Sequence, residues 1–282
     1  MPCSLRSARK PGASVEAVAR TEEEVSTAAQ RSGADDADRL ATDFGKPEPA
    51  PARKRRPPFF VQFYRSDIGK KWVMAVSGIV LMGYVFAHMV GNLHVFEGAR
   101  QIDSYGEWLR DLLDPPFPRT MALWLLRVTI IVALALHIHA AYALTRVNWR
   151  ARPQRYKSHR DYVAANFASR TMRWTGIIVG LFLVFHILDL TWGAANPGYV
   201  RGEVYRNTVA TFERVPVALA YIAACIALGI HLFHGAWSLF QSVGWNNPRF
   251  NLWRRYFAVG FAVVVTAGYI SVPIAVQVGV VS

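Results

Sequence analysis

Four histidines, His88, His139, His186 and His231, each lie deep within an apolar stretch long enough to cross a bilayer. An imidazole in hydrocarbon is costly unless something binds it, so its recurrence points to chemistry. Two histidines at one depth on two helices can clamp a flat macrocycle through both faces of its iron, as bis-histidine haem b is held in helical bundles. A helix-bridging histidine with its hydrogen bonds satisfied would explain any one of them. Four that pair by depth favour ligation.

Five apolar spans must position them, at about 72–96, 120–145, 173–193, 215–241 and 256–279. The chain therefore reads as all-α, an integral membrane bundle of five transmembrane helices over residues 59–282, behind a disordered N-terminal tail over residues 1–58. That tail has almost no large apolar residues to offset chain entropy. It ends in Arg53-Lys54-Arg55-Arg56, which reads as an orientation signal and not as a nucleic-acid site. The N-terminus lacks the apolar core of a cleavable secretory signal. Phe59 to Lys71 mixes aromatics with charges, as an interfacial segment does. Tyr105, Trp108 and Leu112, followed by Pro115-Pro116, predict a short surface helix between the first two spans.

The net charge of +13 and 52% hydrophobic composition would suit a membrane protein with basic loops better than a nucleic-acid binder. Arg146, Arg150, Arg152, Arg155, Lys157, Arg160, Arg170 and Arg173 fall between or beside spans two and three; Arg249, Arg254 and Arg255 fall between four and five. The other two connections carry acids, including Glu97, Asp103, Asp111, Glu203 and Glu213. The positive-inside rule predicts a multi-pass protein of the cytoplasmic (inner) membrane, with its N-terminus in the cytoplasm and its C-terminus outside.

Depth then follows from the helical rise of ~1.5 Å per residue. His88 lies 16 residues into span one and His186 13 residues into span three, roughly 24 and 20 Å across. His139 and His231 lie 6 and 10 residues before the cytoplasmic ends of spans two and four, roughly 9 and 15 Å deep. An outer pair, His88 with His186, and an inner pair, His139 with His231, are expected. His137 points roughly opposite to His139 and is the alternative ligand on that helix. Arg127, Arg146 and Arg173 are candidates to meet haem propionates. His234, one turn from His231, is a candidate for a propionate or a quinone. Asp189, an intramembrane carboxylate beyond His186, is either a proton carrier at a quinone or a helix-linking acid. His94 lies at the outer surface and His159 in a basic loop. Cys3 and Cys225 are too few for a disulfide framework.

Ser66-Asp-Ile-Gly-Lys-Lys71, Ala87-His88-Met-Val-Gly-Asn92, His139-Ala-Ala-Tyr142, Arg173-Trp-Thr-Gly176 leading to His186-Ile-Leu-Asp189, and His231-Leu-Phe-His-Gly-Ala-Trp237 occur in this order across the spans. In these motifs the chain resembles the single-polypeptide, five-helix cytochrome b membrane anchor of succinate dehydrogenase and fumarate reductase. The resemblance implies two haems b, ligated by His88 with His186 and by His139 with His231. It further implies flavoprotein and iron-sulfur partners on the cytoplasmic face, where succinate is oxidised, and electron transfer to a membrane quinone, with menaquinone expected. The long tail and His94, His137 and His234 depart from the family pattern.

Two other classes compete. One is a haem-free anchor or the holder of another redox centre, although a Rieske-type cluster needs two cysteines and only Cys225 lies in a span. The other is the dihaem cytochrome b of a hydrogenase or formate dehydrogenase, whose partners dock on the outer face, against the placement of the basic loops. No inverted repeat suggests a transporter.

Overall fold

The computed structural model describes residues 13–43, 57–151, 163–245, 247 and 251–282. His159, Arg53 to Arg56, Arg249 and the basic residues from Arg152 to Arg160 lie outside them. Residues Met1–Pro57 and Pro58–Ser282 form two separate units. In the first, Ala13–Asp43 is a helix, α1, whose side chains from Arg20 to Arg39 are all exposed. The described part of the tail thus packs no core of its own, yet it is helical where the composition predicts disorder. Its many Ala, Glu and Arg residues favour a helix locally without any tertiary contact.

The second unit begins with α2 (Phe59–Arg65), with Phe59, Phe60 and Phe63 exposed as the interfacial reading predicts. Ser66 ends it and starts α3 (Asp67–Leu93): its hydroxyl donates to the Phe63 carbonyl at 2.6 Å and accepts from Gly69 N at 2.9 Å. After a 3₁₀ turn, His94–Glu97, comes the surface helix α4 (Ala99–Asp111), where the Tyr105 and Trp108 spacing placed it. The long helices α5 (Met121–Arg150), α6 (Val163–His186), α8 (Val215–Ser242) and α9 (Asn251–Gln277) follow. A π-helical turn, Ile187–Thr191, extends α6, and a short helix, α7 (Val204–Phe212), precedes α8. Five helices are long and apolar enough to span a membrane.

Helix α8 is the most buried span and packs between α6 and α9, while α3 packs on α5 at one side and on α9 and α8 at the other. Gly229 allows α8 to close on α9, because a β-carbon there would collide with Thr266. One apolar cluster, with Met89, Leu232, Ala262 and Val265, joins α3, α8 and α9. A second, with Ile102, Phe212, Tyr221 and Val272, closes the end that α4 and α7 cap. In that cap Asn196 donates to Thr211 Oγ1 and to the Asn207 carbonyl, and Asp103 accepts from Tyr205 N at 3.1 Å, so these polar groups are paired. At the opposite end Arg254, 3% exposed, donates to the Trp245 carbonyl and lies over Trp237. Large apolar side chains such as Ile79, Phe86, Ile131, Leu181, Ile226 and Val263 face outward from every span. With every spanning backbone helical, this is a multi-pass membrane protein.

Candidate functional site: a cavity with paired histidines

A cavity of ≈ 3190 Å³ runs between α3, α5, α6 and α8. It is several times larger than the ~300–1,000 Å³ of an ordinary small-ligand pocket, so it has room for more than one large group. His88, His137, His186, His231 and His234 line it. His88 and His186 face each other with ring centres 6.0 Å apart, and His137 and His231 do so at 6.4 Å.

The hydroxyl partners of these rings define their tautomers. Ser77 donates its proton to the Val73 carbonyl at 2.7 Å, so towards His137 Nδ1, 3.3 Å away, its oxygen accepts. Thr175 likewise donates to the Thr171 carbonyl at 2.9 Å and accepts from His231 Nδ1 at 3.3 Å. Tyr221 donates to Asp189 Oδ2 at 3.0 Å and can accept from His186 Nδ1 at 3.5 Å. This geometry assigns the proton to Nδ1 in all three imidazoles and leaves Nε2 its lone pair. Glycines give the inner rings space: a β-carbon on Gly78 would touch His137 Cε1 at 3.5 Å, and one on Gly176 would touch His231 Cε1 at 3.4 Å.

These contacts expose an internal repeat. Ser77-Gly78 and His88 on α3 recur as Thr175-Gly176 and His186 on α6, 11 residues apart in both. Tyr84 stacks on His88, and Phe182, at the corresponding position, lies against His186. Eleven residues of helix rise about 16 Å, so the two histidine layers are separated by that height on both helices. The repeat is readable in the sequence once a hydroxyl-glycine step is sought three turns before each histidine.

His139 does not join His231. It is exposed on the other side of α5, stacked against Tyr64 of α2 at 5.7 Å, with the Tyr64 hydroxyl bonded to its Nδ1. The two residues between His137 and His139 rotate the side chain by about 200°, and packing of α5 on α3 turns His137 inward. His94 is bonded to Glu97 and lies over Tyr105, away from the cavity lining. Asp189 is fully enclosed and ion-paired with Arg214, a residue that the sequence reading did not single out. His234, buried in α8, meets Thr171 Oγ1 through Nε2 at 3.1 Å. Arg127 and Arg173 line the cavity, each stacked over a tryptophan, Trp124 and Trp149. Arg146 instead lies against Tyr142.

The donor set suits a metal macrocycle held from both faces. Two imidazole nitrogens at ~2.0 Å from one metal ion, each with its ring centre ~1.1 Å behind, put the ring centres roughly 6.2 Å apart. The observed 6.0 and 6.4 Å straddle that value. Among the described residues no three His, Cys, Asp or Glu side chains converge as metal ligands, so the candidate donors come in pairs.

Fold and site define a helical membrane protein with two half-buried imidazole pairs. Residues 148–270, a little under half of the chain, match the family model of the succinate dehydrogenase/fumarate reductase transmembrane subunit, in agreement with the motif resemblance and with a cytochrome b anchor. Over this stretch the chain is similar to the membrane subunits of that class. The matched stretch carries His186 and His231, one member of each pair. No curated protein and no solved structure matches the chain.

Proposed function

We propose that the chain is the membrane anchor and electron-transfer subunit of a succinate:quinone oxidoreductase, carrying electrons between an iron-sulfur partner and a membrane quinone. The observation that carries this reading is the pair of imidazole couples facing one cavity at 6.0 and 6.4 Å. Two haems b, held by His88 with His186 and by His137 with His231, would supply reversible one-electron carriage at two depths.

The chain's own residues do the rest. Ser77, Thr175 and Tyr221 orient the rings and keep their Nε2 lone pairs available. Arg127 and Arg173 offer cations to the anionic edges of the macrocycles. The positive-inside rule supports an orientation with the α5–α6 and α8–α9 connections in the cytoplasm, where a flavoprotein and an iron-sulfur subunit would dock on basic residues. His234 with Trp237, Ser238 and Gln241 lines the cavity near that end and is the preferred quinone position. His94 and Asp189 are less suited, because each is already bonded elsewhere and neither lines the cavity.

The decisive experiment is a dithionite-reduced minus oxidised spectrum of the purified complex, with a pyridine haemochrome count. Two haems per chain are expected, falling to one in His231→Ala; a haem-free complex would sink the reading. His234→Ala is expected to keep both haems and to slow succinate-driven quinone reduction by about 100-fold, as loss of a positioned proton donor does. Unchanged turnover would move the quinone away from His234.

A further inference from the structure

One of the four paired imidazoles is backed by a charged, buried relay. Asp189, 0% exposed on the π-helical turn, accepts from Arg214 at 2.5 Å through Oδ1 and from the Tyr221 hydroxyl at 3.0 Å through Oδ2. Arg214 is held in place by a second bond, to the Ala195 carbonyl at 2.7 Å. Tyr221 is fixed edge-on between Phe182 and Phe212, at 4.9 and 5.0 Å. Its proton is committed to the carboxylate, so its oxygen meets His186 Nδ1 only as an acceptor. The partners of His137 and His231 are neutral: Ser77 and Thr175 pass their protons to backbone carbonyls. Among the described residues only the chain behind His186 ends in a carboxylate, and a hydroxyl that donates to a carboxylate is polarised into a stronger acceptor.

We propose that Tyr221, anchored by Asp189 and Arg214, is a positioning residue that holds His186 in the Nδ1–H tautomer and makes its Nε2 a stronger donor. The haem ligated by His88 and His186 is thereby biased towards its ferric state. This rests on the haem reading above and extends it from the ligands to the residues behind them.

Tyr221→Phe removes the hydroxyl and keeps the ring. In the intact complex it is expected to retain both haems while raising the midpoint potential of one and leaving the other in place. A tenfold loss of ferric preference, the low end for removing a residue that orients a metal-bound histidine, converts to about 59 mV for a one-electron couple. A purely structural role would lower stability and move neither potential. Should Tyr221→Phe fail to assemble, Asp189→Asn, which keeps an acceptor but loses the charge, is expected to shift the same haem in the same direction. Two retained haems with both midpoints unmoved in the variant that assembles overturns the inference. A wild-type complex without haem overturns the reading beneath it, and the haemochrome count reveals that before any potential is measured.

Discussion

Alanine at His137 is expected to remove one of the two proposed haems, and alanine at His139 to leave both. The two residues share a helix and lie two positions apart, so the contrast tests side-chain direction and nothing else. His137 faces His231 across the cavity with ring centres 6.4 Å apart, and Ser77 fixes its tautomer. His139 faces α2 and is bonded to Tyr64. Loss of one imidazole would leave a proposed haem iron with a single protein ligand, and occupancy is expected to fall well below half at that layer. The pyridine haemochrome count per chain reads this directly. The reverse outcome, one haem in His139→Ala and two in His137→Ala, would mean that α5 is rotated about its axis in the assembled complex.

That contrast also marks where the sequence stops being informative. The five spans were legible to within a few residues, because membrane thickness sets their length and an uninterrupted apolar run is hard to mistake. The pairing of His88 with His186 was legible too, since depth needs only the helical rise. Depth does not determine rotation. His137 and His139 differ by only about 3 Å in height but by about 200° in direction, and only the packing of α5 on α3 separates them. The motif ending in Tyr142 drew attention to His139, while the hydroxyl-glycine step that receives His137 lies 59 residues earlier, at Gly78. A repeat of that step before His88 and His186 was present in the sequence and was the missing signal. The π-helical turn and α7 had none: both depend on how the α6–α8 connection folds back through Asn196, Asn207 and Arg214.

The same connection governs the largest expected stability effect. Asp189→Ala is expected to destabilise the folded chain by about 2–3 kcal/mol, because it strands the Arg214 guanidinium and the Tyr221 hydroxyl together. The value sits at or below the usual ~3–5 kcal/mol for breaking a buried pair. Arg214 keeps 29% of its side chain exposed, so water recovers part of the loss. Removing both charges, as Asp189→Leu with Arg214→Leu, is expected to cost less than the single change despite altering more atoms, since neither ion is then left alone. Unfolding in detergent, followed by loss of helical circular dichroism, compares the two. A double variant less stable than Asp189→Ala would show that packing of the Arg214 side chain and its bond to Ala195, and not charge pairing, hold α6 to the start of α8.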